Sequence, residues 1–438
     1  MAAYGKKKIL VISDHALSTS GVGTQSRFLI NGLVDTGKYT VRQFGAAMKH
    51  QDYNVVKVNE DFIIKPTDGF GTPEMLRLAL ATEKPDMILL FTDPRFFHWL
   101  FKMEDEIHQV CPIAYWHVWD NKPYPEFNDM YYEATDLIAC HSHHTFEQLS
   151  PKYPAKTHFV PHTIPPDAYF QMTDAQVIEC RNKWLPNKKD WFVGFWANRN
   201  ARRKRPNDLL WAWSLFLDKL QKQEGHRKAV LLMHTDPLDN EGPNLLALRE
   251  YYDLEANVIF STERVGFDQL NEYYNAADFT INISHSEGFG LSTLESMMTG
   301  TPIIAPMTGG QTRQVVDVRD GTHNGIALPI EYQTMVGNQQ IPYILEDYCS
   351  VETIANGILE LYCAKQHKPT WQSLKSKVLE YANYEFNYKI RINQWDNLIE
   401  DTIQSWEPGI IAIRWRQCND ARTHKRSSLV NLWLWSSC

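Results

Sequence analysis

The feature that most constrains this chain is a repeated alternation of short β-branched or aromatic runs with helix-length segments. Strand-like runs stand at 8–12, 39–44, 86–91, 113–118, 136–140 and 158–161, and a second series at 191–197, 229–234, 257–261, 279–283 and 302–305. Helix-length stretches at 24–33, 73–82, 207–220 and 268–277 lie between them. Strand and helix in alternation build βαβ units, whose parallel sheets are covered on both faces. The pattern therefore predicts an α/β chain. It breaks once, at 161–186, where Pro161, Pro165, Pro166 and Pro186 mark a hinge between two α/β domains. At 438 residues the chain is long enough for two or three domains, each with its own core. The expected divisions are 1–165, 166–380, an aromatic-rich helical segment at 381–407, and a tail at 408–438.

Composition narrows the function classes. Hydrophobic residues make up 43% and charged residues 22%, the profile of a folded globular chain, and the net charge is −8. The first 165 residues carry slightly more acidic than basic side chains, which argues against nucleic acid as a partner. The seven cysteines are scattered without a Cys-x-x-Cys pair, so neither a disulfide framework nor a structural zinc site is expected. No apolar run reaches membrane-spanning length, and the early run at 9–12 is too short for a signal-peptide core. The expected location is cytoplasmic.

The most informative stretch is 285–305, reading HSEGFGLSTLESMMTGTPIIA. It follows a strand, crosses a glycine loop and enters a helix whose buried face is marked by Leu291, Leu294 and Met298. Unpaired N–H groups at a helix start sit at the positive end of its dipole. Gly288 and Gly290 carry no side chain to keep a phosphate from those amides, and Phe289 stands between them. Glu295, one turn into the helix, is placed to accept both hydroxyls of a ribose, and Glu287, in the loop, to hold a second polyol. Upstream, 199–205 holds five cations in seven positions at the carboxyl end of a strand, where α/β sheets bind ligands. Arg199 and Lys204 are the candidates to stabilise a diphosphate as it gains charge. Together these residues fit a nucleotide whose phosphates carry a sugar.

Glu287-x7-Glu295, Arg199-x4-Lys204 and the later Gly309-Gly310 resemble the retaining, nucleotide-sugar-dependent glycosyltransferases of the GT-B fold, the GT4-type group. The resemblance runs through roughly 7–405 and is most specific between 191 and 330. It implies two Rossmann-like domains facing a cleft, an N-terminal acceptor side and a C-terminal nucleotide-sugar side, with the 381–407 helix crossing back onto the first domain. It implies that Arg199 and Lys204 hold the diphosphate, with Gly288, Phe289, Gly290 and Leu291 around the donor. Glu287 then contacts the donor sugar and Glu295 the ribose. A UDP-, GDP- or ADP-sugar is the implied co-substrate and a hydroxyl of a glycan, lipid or small molecule the acceptor, with no cofactor. The chain departs from the pattern after Gly310, where Gln311-Thr-Arg313-Gln314 stands in place of a glutamate.

In the first half, Gly21 and Gly23 lie in a loop between the first strand and a helix. Ser26 takes the third glycine position of a dinucleotide fingerprint, and the second strand ends without an acidic residue, so a dehydrogenase fits poorly. The loop resembles the family's first-domain glycine loop, with Ser20 in place of one glycine, and is expected to approach the donor phosphates. His117 ends a strand and matches a family histidine that points into the cleft, a hydrogen-bonding or proton-handling group. A satisfied structural histidine is the alternative at that position. His141, His143 and His144 read as a strand-to-helix junction. No Asp-x-Asp triplet occurs, which removes a common metal clamp; the expected enzyme is a metal-independent hexosyltransferase. A sugar-nucleotide epimerase of the same fold and a non-catalytic carbohydrate-binding protein remain the alternatives. The tail sets Arg414, Arg416, Arg422, Lys425 and Arg426 against Asp420, with Trp415, Trp433 and Trp435 among them. That pattern reads either as a peripheral membrane contact or as a poorly ordered terminus.

Overall fold

A computed structural model describes residues 5–49 and 52–408. The basic, tryptophan-bearing tail from 409 onward lies outside the described residues. Each of the eleven strand-like runs of the sequence forms a strand, and they assemble into two separate sheets.

The first sheet holds β1 (Lys7–Asp14), β2 (Tyr39–Ala46), β3 (Val56–Lys57), β4 (Phe62–Pro66), β5 (Met87–Thr92), β6 (Ile113–His117), β7 (Leu137–Cys140) and β8 (Thr157–Phe159). Their order is β3-β4-β2-β1-β5-β6-β7-β8, and every pairing but β3–β4 is parallel. The second sheet holds β9 (Phe192–Ala197), β10 (Ala229–His234), β11 (Val258–Ser261), β12 (Phe279–Ile281), β13 (Ile303–Pro306) and β14 (Gly325–Leu328). Its order is β11-β10-β9-β12-β13-β14, parallel throughout. A two-stranded hairpin of β15 (Tyr332–Val336) and β16 (Ile344–Tyr348) stands apart from both.

Burial on both faces explains why the long strands read as unbroken apolar runs. In β1, Ile9 and Val11 enter one core cluster while Leu10 and Ile12 enter the cluster on the opposite face. The strands missing from the sequence reading lack that signal. β15 is largely exposed, and β4 is five residues ending in proline. β14 opens on Gly325, where a Cβ would lie 2.0 Å from the Ile303 carbonyl oxygen.

Two further segments differ in detail from the sequence pattern. The stretch 161–186, expected as a hinge, carries a helix of its own that the sequence reading did not mark, Asp174–Trp184, whose Thr173 and Gln176 form a reciprocal capping box. Arg181 of that helix pairs with Asp278 of the second lobe at 2.7 Å. The segment read as one helix over 381–405 is two helices, Lys368–Glu385 and Tyr388–Ser405. The break comes at Phe386, which is buried, and Asn387, whose side chain caps the second helix by accepting from the Ile390 amide. The chain changes direction there because the two helices pack on different lobes.

The last helix returns to the first lobe. Ile392, Trp395 and Ile399 join the core cluster of Ile9, Val11 and Leu89. Trp395 meets Trp116 edge-on at 5.2 Å, and Gly32 leaves room for Ile392, where a Cβ would come within 2.4 Å. The Tyr39 hydroxyl donates to Asp396 at 2.7 Å, and Lys38 pairs with the same carboxylate at 2.6 Å. Among the described residues no helix is long and apolar enough to cross a membrane.

Trp395 is only 2% exposed, so Trp395→Ala empties a large volume from the first-lobe core. The expected cost is about 3–5 kcal/mol, read as a lower denaturant midpoint. A midpoint equal to wild type would show that the returning helix is not part of that lobe's folded unit.

Candidate active site

In an open parallel sheet, ligands bind beyond the carboxyl ends of the strands, where the strand order reverses. That reversal falls between β1 and β5 in one lobe and between β9 and β12 in the other. The glycine loop after β1, the basic loop after β9 and the Glu287 loop after β12 all emerge at those two points. The chain topology thus gathers into one cleft three motifs spread over more than half of the sequence.

On the first-lobe side, Ser20 caps the helix Gly21–Asp35: its hydroxyl accepts from the Gly23 amide at 2.9 Å and donates to Asp14 at 2.6 Å. That is what the serine does where the resembling family has a glycine. A Cβ on Gly23 would lie 2.2 Å from the Ser18 hydroxyl, and one on Gly21 would lie 2.9 Å from Leu291 of the second lobe. The starts of the helices Gly21–Asp35 and Leu291–Met298 therefore face each other across the cleft.

On the second-lobe side, Glu287 is buried and forms an ion pair with Lys204, itself buried. The Ser284 hydroxyl and the Asn282 amide also donate to its Oε2, at 3.1 and 3.3 Å, and Arg203 Nη1 stands 3.8 Å away. Although burial raises its pKa, Lys204 and Arg203 outweigh that and hold the carboxyl down at about 2. Glu287 is a carboxylate at any physiological pH. Its backbone carbonyl accepts from the Gly310 amide at 3.0 Å, and a Cβ on Gly309 would come within 2.1 Å of the same oxygen. The Gly309-Gly310 turn can sit under the Glu287 loop only because neither residue has a side chain.

One turn into the helix, Glu295 accepts from the Tyr274 hydroxyl at 2.5 Å. Burial dominates here and raises the carboxyl to about 7. Nearby, the buried Ser292 hydroxyl has no protein partner. Gln311, in place of the family's usual chemistry after Gly310, is wholly buried beside the glycine loop with its Oε1 unpaired.

Two sequence expectations fail on geometry. Arg199 does not join Lys204: its side chain is 64% exposed and makes a two-pronged ion pair with Asp239, at 2.7 and 3.0 Å. The buried Asn200, donating to the Pro243 carbonyl, turns the chain between them. The second cation at Glu287 is Arg203 instead. Its signal in the sequence is adjacency to Lys204 on the single turn 202–204. His117 does not face the cleft either. It is 0% exposed, with Nδ1 at 3.1 Å from the Tyr115 hydroxyl and Nε2 at 2.8 Å from that of Tyr132. It is a satisfied core histidine, its pKa pushed well down by burial.

Two residues that sequence reasoning missed take its place. His141, at the end of β7, donates from Nδ1 to the His117 carbonyl at 2.5 Å. That bond leaves Nε2 as an acceptor, 2.9 Å from where a Cβ on Gly288 would be. Burial lowers its pKa to about 4, so the ring is neutral at physiological pH. Asp120, three residues beyond β6, approaches the same point to 2.3 Å and lies 3.8 Å from Arg203. Gly288 is thus one point where the lobes touch, and an acid and an imidazole of the first lobe converge on it. The sequence offers one signal, that both residues follow a strand's carboxyl end. Among the described residues no group of three or more His, Cys, Asp or Glu is placed to hold a metal ion.

Residues 176–360 match the family model of glycosyl transferases group 1. D-inositol 3-phosphate glycosyltransferase 2 of Catenulispora acidiphila is 36% identical over 94 residues, 21% of this chain and 22% of that protein. D-inositol 3-phosphate glycosyltransferase of Streptomyces scabiei is 31% identical over 157 residues, 35% of this chain and 34% of that protein. The matched segments thus span no more than about a third of those relatives' length. Among solved structures, sucrose-phosphate synthase from Thermosynechococcus elongatus superposes with a TM-score of 0.71 at 17% identity, over 91% of this chain and 100% of that one. HepE from Anabaena, in complex with UDP and glucose, gives a TM-score of 0.65 at 14% identity, over 90% of this chain and 100% of that one. Residues 176–360 of the second lobe thus resemble the glycosyl transferases group 1 model, and the chain as a whole shares the two-lobed GT-B fold of these solved structures.

Proposed function

We propose that this protein is a retaining glycosyltransferase that moves a sugar from a uridine diphosphate sugar to a hydroxyl group. The observation that carries the reading is the buried Lys204–Glu287 pair beneath a glycine loop that opens a helix, with Glu295 one turn further on. The diphosphate lies at the start of the helix Leu291–Met298, where backbone amides and the Ser292 hydroxyl lack protein acceptors. Lys204 and Arg203 supply positive charge to it, and Glu287 receives hydroxyls of the transferred sugar. Glu295 receives the ribose. UDP is favoured over other nucleotides because the Anabaena neighbour of the same fold is a complex with UDP.

In the reaction, the bond from the anomeric carbon to the β-phosphate oxygen breaks and the acceptor oxygen bonds to that carbon on the same face. The acceptor's proton passes to the departing phosphate oxygen, so the products are a glycoside and a nucleoside diphosphate. The protein contributes position and charge rather than a covalent intermediate. Negative charge grows on the β-phosphate as the bond breaks, and fixed cations bind that state more strongly than the substrate.

Three outcomes test this reading. In a thermal-shift series with UDP-, GDP- and ADP-sugars, the UDP compound raises the melting temperature most, by the equivalent of about 2.7 kcal/mol at a hundredfold excess over Kd. No shift with any of the three removes the donor site. Lys204→Ala and Arg203→Ala each lower turnover by roughly 10²–10³, the scale for losing one charge-stabilising donor, whereas Arg199→Ala leaves it nearly unchanged. The opposite ranking would return the diphosphate to Arg199.

The third outcome is pH-dependent. Free Glu295 holds a proton up to about pH 7, while a carboxylate accepting both ribose hydroxyls ionises more readily. Nucleotide binding near pH 6.5 therefore releases a proton, and affinity climbs as pH rises through about 7, then levels. Calorimetry in buffers of different ionisation enthalpy reads the released proton. Glu295→Gln abolishes it, and a wild-type protein that releases none excludes Glu295 from the nucleotide.

A further inference from the structure

The first sheet reverses its strand order between β1 and β5, so it has a ligand-binding edge of its own, facing the second lobe. Four neighbouring strands, β4, β2, β1 and β5, end on that edge, spaced about 4.8 Å apart. The loop after each one carries an apolar side chain. Leu17 follows β1, Met48 follows β2 and Phe96 follows β5, all exposed, and Phe70 follows β4, half-buried. Phe96 is a full phenyl ring with 54% of its surface in water. Phe70 lies against it at 5.1 Å and meets Phe97 edge-on at 5.3 Å, so the loops after β4 and β5 close on each other over the strand ends between them. Single exposed apolar residues are normal on any surface; a row of them along the edge where a sheet binds ligands is not.

This lip is continuous with the donor site. Leu17 lies in the loop that leads into Gly21, where a Cβ would come within 2.9 Å of Leu291 at the start of the donor helix. At the other end, Asp93 opens the turn that carries Phe96. Asp120, its carboxyl pushed up first by burial, also feels the charges of Glu287 and of Asp93. One carboxylate at Gly288 is thus within electrostatic reach of both the Phe96 turn and the Glu287 loop.

The charges along the lip say what it suits. Its loops, 15–20, 47–55, 67–72 and 93–97, carry Lys49 and Arg95 against Asp52, Asp68 and Asp93. Arg95 is held by Asp93 in a two-pronged pair at 2.8 and 2.5 Å, which leaves its guanidinium committed. A phosphate is poorly served there. A bare sugar would leave the phenyl ring of Phe96 and the side chain of Leu17 in water. An apolar body laid over them removes that surface from water and asks for no polar partner.

We infer that the acceptor is amphiphilic, a hydroxyl joined to an aromatic or alkyl body, with the body lying on Leu17, Met48, Phe70 and Phe96 and the hydroxyl directed between the lobes to the donor sugar. The inference deepens the transferase reading above and rests on it. It is tested on the full chain with the nucleotide-sugar chosen by thermal shift, by following nucleoside diphosphate release with added acceptors. The probes are 4-nitrophenol, octanol, phenyl glucoside and octyl glucoside below its micellar concentration, then glucose, myo-inositol and glucose 6-phosphate.

At least one apolar-bodied probe is expected to raise release about tenfold over donor alone, with a KM at least about tenfold below those of the free and phosphorylated sugars. Phe96→Ala and Leu17→Ala, both at exposed positions, are expected to raise that KM about ten- to hundredfold, the scale of one buried apolar side chain. The donor-induced melting shift is expected to persist in both. Stimulation confined to the free or phosphorylated sugars, stimulation by none of the probes, or an unmoved KM in both variants overturns the inference. So does flotation of the wild-type protein with phosphatidylglycerol vesicles that Phe96→Ala abolishes, which would make the lip a membrane surface. A wild-type protein with no donor-induced shift would instead strike the donor reading itself.

Discussion

A lysine and a glutamate buried against each other at the base of the cleft set the terms for everything around them. Removing two charges from water costs several kcal/mol each, and the loss is recovered only where they pair and their remaining positions find hydrogen bonds. Glu287 meets that condition through Lys204, Ser284 and Asn282, with Arg203 close behind. The arrangement ties the loop after β9 to the loop after β12, so the two strands flanking the reversal of the second sheet deliver one charged unit. It also fixes the lysine in place, so that on the function proposed above no reorganisation would be required as a diphosphate departs.

Around that pair the lobes meet through residues that lack side chains. Gly288 lets Asp120 and His141 reach the Glu287 loop, Gly309 and Gly310 let a turn slide beneath it, and Gly21 admits Leu291 from across the cleft. A methyl group at Gly309 or Gly310 would clash with the backbone of the Glu287 loop, and one at Gly288 with Asp120 and His141. The two lobes consequently approach closely beside the Glu287 loop.

Much of this was legible in the order of residues. Apolar runs buried on both faces, such as Ile9–Ile12 in β1, announce parallel strands because both flanks must be covered. The glycine-framed Glu287-to-Glu295 motif announces a helix start with an uncapped first turn because local backbone geometry alone creates it. What stayed hidden depended on distance in space. Arg199 and Arg203 sit on one loop with equal charge, and only the turn at Asn200 sends one toward Asp239 and the other toward Glu287. His117 and His141 both end strands, and only the packing of Tyr115 and Tyr132 around the first decides which reaches the cleft. The hairpin escaped notice because its strands are short, β15 largely exposed and β16 mostly half-buried, so no alternation of buried apolar residues marks them.

Local propensity and hydrophobic periodicity determined by themselves that this chain builds two largely parallel sheets with glycine-bearing loops at their carboxyl edges, since those features arise from neighbours in sequence. The tertiary structure alone decided which cation comes near Glu287 beside Lys204, which histidine reaches Gly288, where the last helix turns back, and that a hairpin contacts both lobes. Those outcomes depend on contacts between residues far apart in the chain, whose strength is set by burial and geometry that no single segment carries.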